Sequence, residues 1–396
     1  MCLLKKSLYG LKQSARNWQK LLESYFFGAG FSRSRADPCL YFRIIPGEGF
    51  CLISTHVDDI FLLYDKKGKS HCEVLRRKIF AEISVENLGP VSWALKTAVL
   101  RDREKGILKI SQEQFTKEYL EKGKHPVSKK VFSSPNFPEN LPHCDKLDTV
   151  DENLKNDFQK DIGSFWWLAQ ISRPDIFYAV HRCAKLINVP TPRLGQRIQR
   201  VKDYLSTTPT LGITFTRTAD PPVLSGYVDA AFAAEDNFKS RVGYFYLFRG
   251  NLVSWASENP SRVLSSSTEA ECRGLVHFSK ENQWHRQFHA ELGLFDVGSP
   301  TIVYEDNTAS ITLASSLGTP HKRSKHFGIE WAIFKESVEL KELTLIHVTT
   351  DNQPADMMTK SLMTKFFFEF RDSVMGSQES QEHFNGKILA AKAIAF

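Results

Sequence analysis

The order of apolar patterns after residue 220 constrains the fold of this chain more than any other sequence feature. Three strand-like runs, at 224–232, 242–248 and 252–256, precede a long helical pattern at 268–292. Then follow, in order, a strand, two helices, a strand and a short helix, at 301–304, 307–315, 327–338, 343–348 and 354–360. Strands that alternate with helices in this way predict an α/β domain whose sheet is covered by helices.

Carboxylates occupy positions that such a domain would bring together. They are Asp229 in the first strand, Glu271 in the first turn of the long helix, Asp306 closing the fourth strand and Asp356 in the last helix. A cluster of acids repels itself and stays assembled only around cations. Two Mg²⁺ ions held by carboxylates can activate water on one side of a phosphodiester and stabilise the leaving oxygen on the other. The pattern therefore predicts a metal-dependent nuclease.

Each of these acids also has an ordinary structural interpretation. Glu271 can complete a capping box at the start of its helix, and Asp306 can cap the next helix. Asp356 can be an exposed helix acid. Against these alternatives, Asp229 lies among apolar residues, where an unpaired carboxylate is costly, and Glu271 lies on the inward stripe of its helix with Leu275. The joint placement of the acids, not any single one, favours a shared centre.

An apolar hairpin pattern with acids at its tip marks the N-terminal part. The runs 51–57 and 60–64 flank Asp58 and Asp59, and a helix is predicted from about Ser14. Hairpin turns usually contain glycine, so adjacent anions there favour metal binding, with a plain surface turn as the alternative. A helix at 72–83 and a strand–helix unit at 107–120 follow.

Length and charge bound the organisation and the partner. The 396 residues suffice for two or three domains. Residues 124–150, rich in Pro, Ser, Asn and Lys, predict a linker, and helical patterns return within 158–187 and at 193–205. A net charge of +7 and a pI near 8.9 favour a polyanionic partner.

Cysteine usage and hydropathy bear on the cellular compartment. The 7 cysteines are scattered without CxxC spacing, which favours reduced thiols over a disulfide or zinc framework. No stretch approaches the ~20 apolar residues that span a bilayer, and the N-terminus lacks a signal-peptide pattern. We therefore expect an intracellular protein, in the cytoplasm or nucleus, without a membrane partner.

Short motifs from Leu3 to about Leu362 share one resemblance. The N-terminal motifs are Leu8–Ser14 with Trp18, Asp37–Tyr41 and His56–Ile60, and the central ones are Ile162–Ser164, Leu168-Ala169, Arg173–Ile176 and Tyr178–Val180. The C-terminal motifs are Gly226–Ala230, Ser240, Gly243-Tyr244, Ser254-Trp255, Ser266–Glu271, Asp306-Asn307, His321–His326, His347-Val348, Ala355-Asp356 and Thr359-Lys360. In number, order and spacing they resemble the C-terminal part of a copia-type LTR retrotransposon Pol polyprotein, a truncated reverse transcriptase followed by ribonuclease H.

The resemblance implies a fold and a domain order. The fold class is α/β: an α+β palm remnant, then a ribonuclease H-like mixed five-stranded sheet with helices on both faces. The implied segments are a partial palm with the following strand–helix unit at 1–123, a linker at 124–150, a connecting helical region at 151–220, the ribonuclease H-like domain at 221–362 and a tail of unknown role at 363–396.

The resemblance also implies roles for the acids. Asp229, Glu271, Asp306 and Asp356 would bind Mg²⁺ or Mn²⁺, and Asp58 and Asp59 would be metal-binding acids of the polymerase. The third polymerase carboxylate belongs upstream of Leu3, so nucleotide addition should fail in this chain alone. His56 stands where the family usually has an aromatic residue.

Basic residues near both sets of acids suggest contacts with nucleic acid. They are Lys12, Arg16, His321, Arg323, Lys325 and His326. Beside a nuclease centre such residues would hold an RNA–DNA hybrid by its phosphates. The alternative is that they are solvated surface charges. No small-molecule cofactor is expected.

The leading functional hypothesis is divalent-metal-dependent endonucleolytic cleavage of RNA in RNA–DNA hybrids. The alternative is a catalytically inactive transposon relic or a host-adopted nucleic-acid-binding protein, suggested by the altered motifs. A third interpretation, an unrelated α/β hydrolase with a Glu/Asp pair, remains open because short motifs mislead.

Overall fold

The structure is a computed structural model that describes residues 7–8, 10–47, 49–83, 85–122, 132–137, 150–217, 221–235, 237–315 and 328–376. Contacts divide the chain into two units. The first unit comprises residues 1–89 with 282–297, and the second unit comprises residues 90–281 with 298–396. Within the described residues, no helix has both the length and the apolar composition that a bilayer crossing requires.

The first unit is built on a four-stranded antiparallel sheet with the strand order β1-β2-β3-β4. Its elements are α1 (Ser14–Gly28), β1 (Ser32–Arg33), β2 (Leu40–Ile45), β3 (Gly49–His56), β4 (Asp59–Tyr64) and α2 (Lys69–Glu82). Phe26, Tyr41, Ile53 and Leu75 bring both helices and the sheet into one core. Residues 282–297 join this unit through Glu291, which accepts hydrogen bonds from Ser34 Oγ at 2.7 Å and from the Arg35 amide at 3.0 Å.

One expectation about the cysteines is wrong in this unit. Cys51 of β3 and Cys72 of α2 form a disulfide, although the spacing of the cysteines predicts only reduced thiols. Both residues are buried in the core between the sheet and α2, where their side chains face each other. Sequence spacing cannot indicate such a pair, because the contact depends on how the helix packs on the strand.

The second unit begins with another antiparallel sheet and a group of helices. Its first elements are β5 (Trp93–Ala94), β6 (Thr97–Asp102), β7 (Ile107–Ser111), α3 (Glu113–Lys122), α4 (Glu152–Ile171), α5 (Phe177–Lys185), α6 (Pro192–Thr207) and β8 (Gly212–Phe215). The sheet order is β5-β6-β7-β8. Strand β8 pairs with β7, so residues on both sides of the predicted linker share one sheet.

The helical region at 158–187 is interrupted at a proline that lies beside a buried ion pair. Pro174 starts a short 3₁₀ turn, Pro174–Ile176, between α4 and α5, since proline cannot continue the hydrogen bonding of a preceding helix. Arg173 donates to Asp175 at 2.9 and 2.8 Å, and both side chains are buried. Tyr204 of α6 donates to Asp175 at 2.7 Å, and this hydrogen bond connects α6 to the turn between α4 and α5.

The predicted five-stranded mixed sheet is confirmed in the second unit. Its elements are β9 (Leu224–Ala231), β10 (Arg241–Phe248), β11 (Asn251–Glu258), α7 (Ser267–Glu291), β12 (Thr301–Glu305), α8 (Thr308–Ser315), α9 (Gly328–Glu339), β13 (Leu343–His347), α10 (Asp356–Thr359) and α11 (Thr364–Met375). Residues 282–291 of α7 belong to the first unit. The strand order is β11-β10-β9-β12-β13. Strand β10 is antiparallel to both of its neighbours, β9 and β11, whereas β12 is parallel to both of its neighbours, β9 and β13.

Helices cover both faces of this sheet, as expected. On one face Phe278 of α7 stacks on Tyr246, with ring centroids 5.1 Å apart. On the other face Phe245 joins a core that contains Met357 and Phe370 together with apolar residues of α4, α5 and α6. Gly243 is required on this face, because a Cβ there would overlap Met358 of α10.

The predicted segment boundaries stay predictions. Of the linker at 124–150, the structure describes only residues 132–137 and 150. Helix α11 begins at Thr364, inside the segment expected to be a tail, and Phe367 and Phe370 bury its inner face in the core of the second unit.

Candidate metal centre

Asp229 lies near the end of the central strand β9. The strand pairs with β10 so that Asp229 is opposite Gly243, and its side chain is buried. A buried carboxylate requires partners, because transfer from water into the interior strongly disfavours the charged form. Accordingly, burial raises the pKa of Asp229, while Lys360 and the Thr359 hydroxyl act in the opposite direction.

Asp306 reaches the same edge of the sheet from strand β12. Because β9 and β12 are parallel, their carboxyl ends meet at one edge. Strand β12 ends at Glu305, so Asp306 is the first residue after it and not its last residue. Thr350 Oγ1 donates to Asp306 Oδ2 at 2.9 Å, which fixes one oxygen of this half-buried side chain.

Glu271 approaches these acids from helix α7. The helix begins at Ser267, so Glu271 is in its second turn, one turn later than expected. Gly274 lets α7 lie close to β9, since a Cβ at this position would be only 3.0 Å from Val228 Cγ1. Glu271 is buried, and burial together with the neighbouring Glu305 and Asp229 raises its pKa to about 11.

The three acids form one cluster. Asp229, Glu271 and Asp306 each present a carboxylate oxygen, and these oxygens lie within 4.8 Å of one another. Glu271 Oε2 is buried without a hydrogen-bond partner. Three oxygen ligands, one of them lacking a donor, fit a hard divalent cation such as Mg²⁺ or Mn²⁺. The residues present therefore suit the predicted metal.

Asp356 lies beside the cluster and not within it. It is the first residue of α10, it is buried, and Lys360 Nζ is 2.7 Å from its Oδ1. Burial and Asp229 raise the pKa of Asp356 to about 8. Although burial opposes it, the charges of Asp229 and Asp356 raise the pKa of Lys360. Lys360 thus places a positive charge beside the acids of the centre.

Buried hydrogen bonds attach α10 to the sheet. Gln353 Nε2 donates to Val228 O at 2.8 Å, directly before Asp229 in the strand. From the edge strand β11, Ser257 Oγ donates to Met358 O. Arg241 NH1 in turn donates to Ser257 Oγ at 3.0 Å. These contacts set the position of Asp356 relative to Asp229.

Sequence reasoning does not find several residues of this centre. Glu305 is fully buried beside Glu271, and burial raises its pKa well above the usual range. Its position before Asp306 in Tyr304-Glu305-Asp306 is a signal, because an acid ending an apolar strand is unusual. Lys360 carries a second signal, since it lies four residues after Asp356 on the same helical face.

The predicted polymerase acids are placed differently. Asp58 is in the two-residue turn between β3 and β4, Asp59 begins β4 opposite His56, and both acids are exposed. Val57, in the same turn, has a positive φ of 55°. Among the described residues, the metal-ligand cluster contains neither Asp58 nor Asp59.

The predicted nucleic-acid contacts are only partly described. Lys12 and Arg16 are exposed at and near the start of α1. The second basic group lies outside the described residues; it comprises His321, Arg323, Lys325 and His326. All six residues stay predictions.

The fold and the sequence comparisons define the class of this chain. Its five-stranded sheet is mixed and has helices on both faces, as expected for a ribonuclease H-like fold. Residues 1–129 match the family of reverse transcriptases (RNA-dependent DNA polymerases). The chain thus matches a reverse-transcriptase family in its first third and has a ribonuclease H-like fold in its five-stranded sheet.

Its relatives are the Pol polyproteins of copia-type transposons. It is 30% identical over 366 residues to the retrovirus-related Pol polyprotein from transposon TNT 1-94 of Nicotiana tabacum, covering 91% of this chain and 27% of the relative. It is 29% identical over 375 residues to that from transposon RE1 of Arabidopsis thaliana, covering 94% and 25%. The chain thus spans about a quarter of the length of these relatives.

Solved structures are similar at lower identity. A foamy viral protease–reverse transcriptase in complex with dsDNA is 13% identical, with a TM-score of 0.48, covering 87% of this chain and 60% of that one. LC11-RNase H1, isolated from compost, is 14% identical, with a TM-score of 0.28, covering 35% and 94%.

Proposed function

We propose that the second unit binds divalent metal ions and cleaves the RNA strand of RNA–DNA hybrids. The observation that carries this proposal is the cluster of Asp229, Glu271 and Asp306, whose oxygens lie within 4.8 Å of one another. Oxygen ligands that converge in this way suit a divalent ion, and a second ion about 4 Å away would complete a two-metal site. Such ions, when bound, supply an activated water and a charge that stabilises the leaving oxygen.

In this proposal the side chains of the metal centre have different roles. Asp229, held by the Thr359 hydroxyl, and Asp306, held by Thr350, present oriented oxygens. Glu271 carries a raised pKa, so without a cation it holds a proton that metal binding must displace. Lys360 offsets part of the negative charge beside Asp356. The chain itself therefore supplies orientation and charge balance.

Cleavage of a labelled hybrid tests the proposal. Purified chain is incubated with a 5′-labelled RNA strand annealed to DNA, in Mg²⁺ or Mn²⁺, and products are resolved by size. We expect internal RNA cuts that Asp229→Asn and Glu271→Gln abolish. The matched control is Glu104→Gln, which changes an exposed acid in the turn between β6 and β7 and should leave cleavage intact.

The same assay separates the alternative of an inactive nucleic-acid-binding protein. Salt-sensitive binding of the hybrid without any metal-dependent cleavage would support that alternative and remove the nuclease assignment. Cleavage by Asp229→Asn at the parental rate would do the same, because the reaction would then come from a contaminant or another centre.

A further inference from the structure

A large cleft lies in the second unit, apart from the carboxylate cluster. It measures about 1040 Å³ and is bounded by α4, α5, the second half of β11 and the loop between β9 and β10. None of Asp229, Glu271, Asp306 and Asp356 lines it. Its walls include the exposed residues Gln170, Lys185, Asn237 and Glu258, so the cleft opens to solvent along its length.

Fixed aromatic rings form one wall of this cleft. Trp166 packs against Phe177 and His181, with ring centroids 5.3 and 6.0 Å apart. Trp255 lies nearby, and its indole nitrogen donates to Ala169 O at 3.0 Å. Both tryptophans are half-buried, so each is held in place and keeps part of its ring accessible. Rings held in this way can stack on the bases of a nucleic-acid strand, whatever the base.

His181 belongs to this aromatic wall and not to the charged groups. Burial and the charge of Arg241 lower its pKa to about 4. Its Nδ1 lies 2.9 Å from Arg241 NH1, which accounts for the neutral ring. At neutral pH the wall therefore presents uncharged rings.

Two lysines, Lys185 and Lys239, and one carboxylate, Glu258, line the cleft. Glu235, within the loop between β9 and β10, accepts hydrogen bonds from both Nε and NH2 of the fully buried Arg241. Glu258, on the rim, is 2.9 Å from His277 Nε2. Arg241 is thus the main partner of Glu235, and Lys185 is a second partner at 3.6 Å. Lys185 and Lys239 suit the phosphates of a polyanion.

The cleft is also connected to the candidate metal centre. Ser257 lines the cleft and donates to Met358 O. The next residue, Thr359, donates to Asp229. Strands β11 and β9 are separated only by β10, so the two places lie roughly 10 Å apart in the sheet. One nucleic-acid strand can therefore reach both.

We propose that this cleft binds a single-stranded segment of nucleic acid adjoining the strand held at the carboxylate cluster. The aromatic wall would stack on unpaired bases, and Lys185 and Lys239 would contact phosphates. Only unpaired bases expose their faces to such a wall, so the cleft prefers single strands to duplexes. The continuity with the carboxylate cluster rests on the proposed nuclease function; binding by the cleft does not.

Fluorescence anisotropy with a labelled oligothymidylate of about twelve nucleotides tests this proposal. The full chain carrying Asp229→Asn is used in EDTA, so that neither cleavage nor metal binding contributes. We expect Lys185→Gln/Lys239→Gln and, separately, Trp166→Leu to weaken binding by roughly tenfold each. The charge variant should also have a shallower dependence of affinity on salt, whereas Trp166→Leu should keep the parental slope.

A matched control removes two positive charges elsewhere in the same unit. Arg103 and Lys105 are exposed in the turn between β6 and β7, and Arg103→Gln/Lys105→Gln should bind as the parent does. Parental affinity in both cleft variants overturns the proposal, as does equal competition by a blunt duplex. Circular dichroism confirms that each variant is folded. Failure of hybrid cleavage in the parental chain would overturn only the nuclease function, because anisotropy is read without metal.

Discussion

The hydroxyl of Thr359 donates a hydrogen bond to Asp229 Oδ2, across a separation of 130 residues in the sequence. Thr359 ends the short helix α10, and Asp229 lies in the central strand of the five-stranded sheet. Burial raises the pKa of Asp229, and this hydrogen bond lowers it, so the hydroxyl favours the ionised carboxylate. The contact therefore links the position of α10 to the charge of the candidate metal ligand.

Replacing Thr359 should weaken metal binding. Thr359→Val keeps the shape of the side chain and removes the donor, so we expect the Mg²⁺ midpoint for cleavage to rise by about 10- to 100-fold. Thr359→Ser keeps the hydroxyl and should stay close to the parent. A metal titration of the cleavage rate measures both. Equal Mg²⁺ midpoints for Thr359→Val and the parent would show that the hydrogen bond from Thr359 does not favour the metal-binding form of Asp229.

Replacing Ser257 should disturb the same centre from the other side. Its hydroxyl connects Arg241 to Met358 O, and Ser257→Ala leaves both buried partners without it. We expect about 1–3 kcal/mol of lost stability and a higher Mg²⁺ midpoint.

Ser279→Ala is the matched control for Ser257. Ser279 is a buried serine whose hydroxyl bonds only within α7, to Val276 O at 2.8 Å. It should lower stability in urea unfolding without moving the Mg²⁺ midpoint. A midpoint that moves equally in both variants would mean that Ser257 acts through general stability alone.

The five-stranded sheet is predictable from the sequence because its strands and helices have clear periods. Strand β8 is not predictable, since Gly212–Phe215 is short and becomes a strand only by pairing with β7. Helix α11 is likewise missed, because Phe366 to Phe368 form an apolar run without a marked helical period. A local sequence pattern thus predicts only the strands and helices whose own residues show a clear hydrophobic period.

The residues of the candidate metal centre divide in the same way, into those that the sequence predicts and those that only the structure shows. Asp229, Glu271 and Asp306 can be chosen from the sequence because of their joint placement in the succession of strands and helices and because of the family resemblance. The burial of Glu305 and the contact of Lys360 with Asp356 depend on how helices lie on the sheet, which spacing alone does not determine. The disulfide between Cys51 and Cys72 is missed for the same reason.

The stability of the metal-free chain should fall as pH rises. Burial raises the pKa of Asp356 to about 8 and that of Glu271 to about 11, so the folded chain holds protons that the unfolded chain releases. The stability from Asp356 is complete below its unfolded pKa and is lost as pH rises through about 8. Thermal unfolding in EDTA between pH 6 and 9 measures this loss.

Added Mg²⁺ and Asp356→Asn should each flatten this pH dependence, because the cation replaces the protons and the amide does not titrate. A melting temperature in EDTA that is constant or increases over this range would contradict the expectation.

His181 should give the opposite dependence on the acid side. Burial and Arg241 lower its pKa to about 4, below its unfolded value near 6.5. Stability from the neutral ring is present above pH 6.5 and is lost as pH falls toward 4, which amounts to about 2 kcal/mol at pH 5. Urea unfolding at pH 5 and pH 7 should show a smaller difference for His181→Asn than for the parent. An unchanged difference would mean that His181 does not contribute.

Calorimetric titration with Mn²⁺ tests the central claim most directly, because it measures whether the clustered carboxylates take up a divalent ion. The account predicts saturable uptake by the parental chain, with release of protons, and loss of that uptake in Asp229→Asn and Glu271→Gln. Glu104→Gln should bind Mn²⁺ as the parent does. The absence of saturable heat in the parent, or equal uptake by Asp229→Asn, would contradict the account.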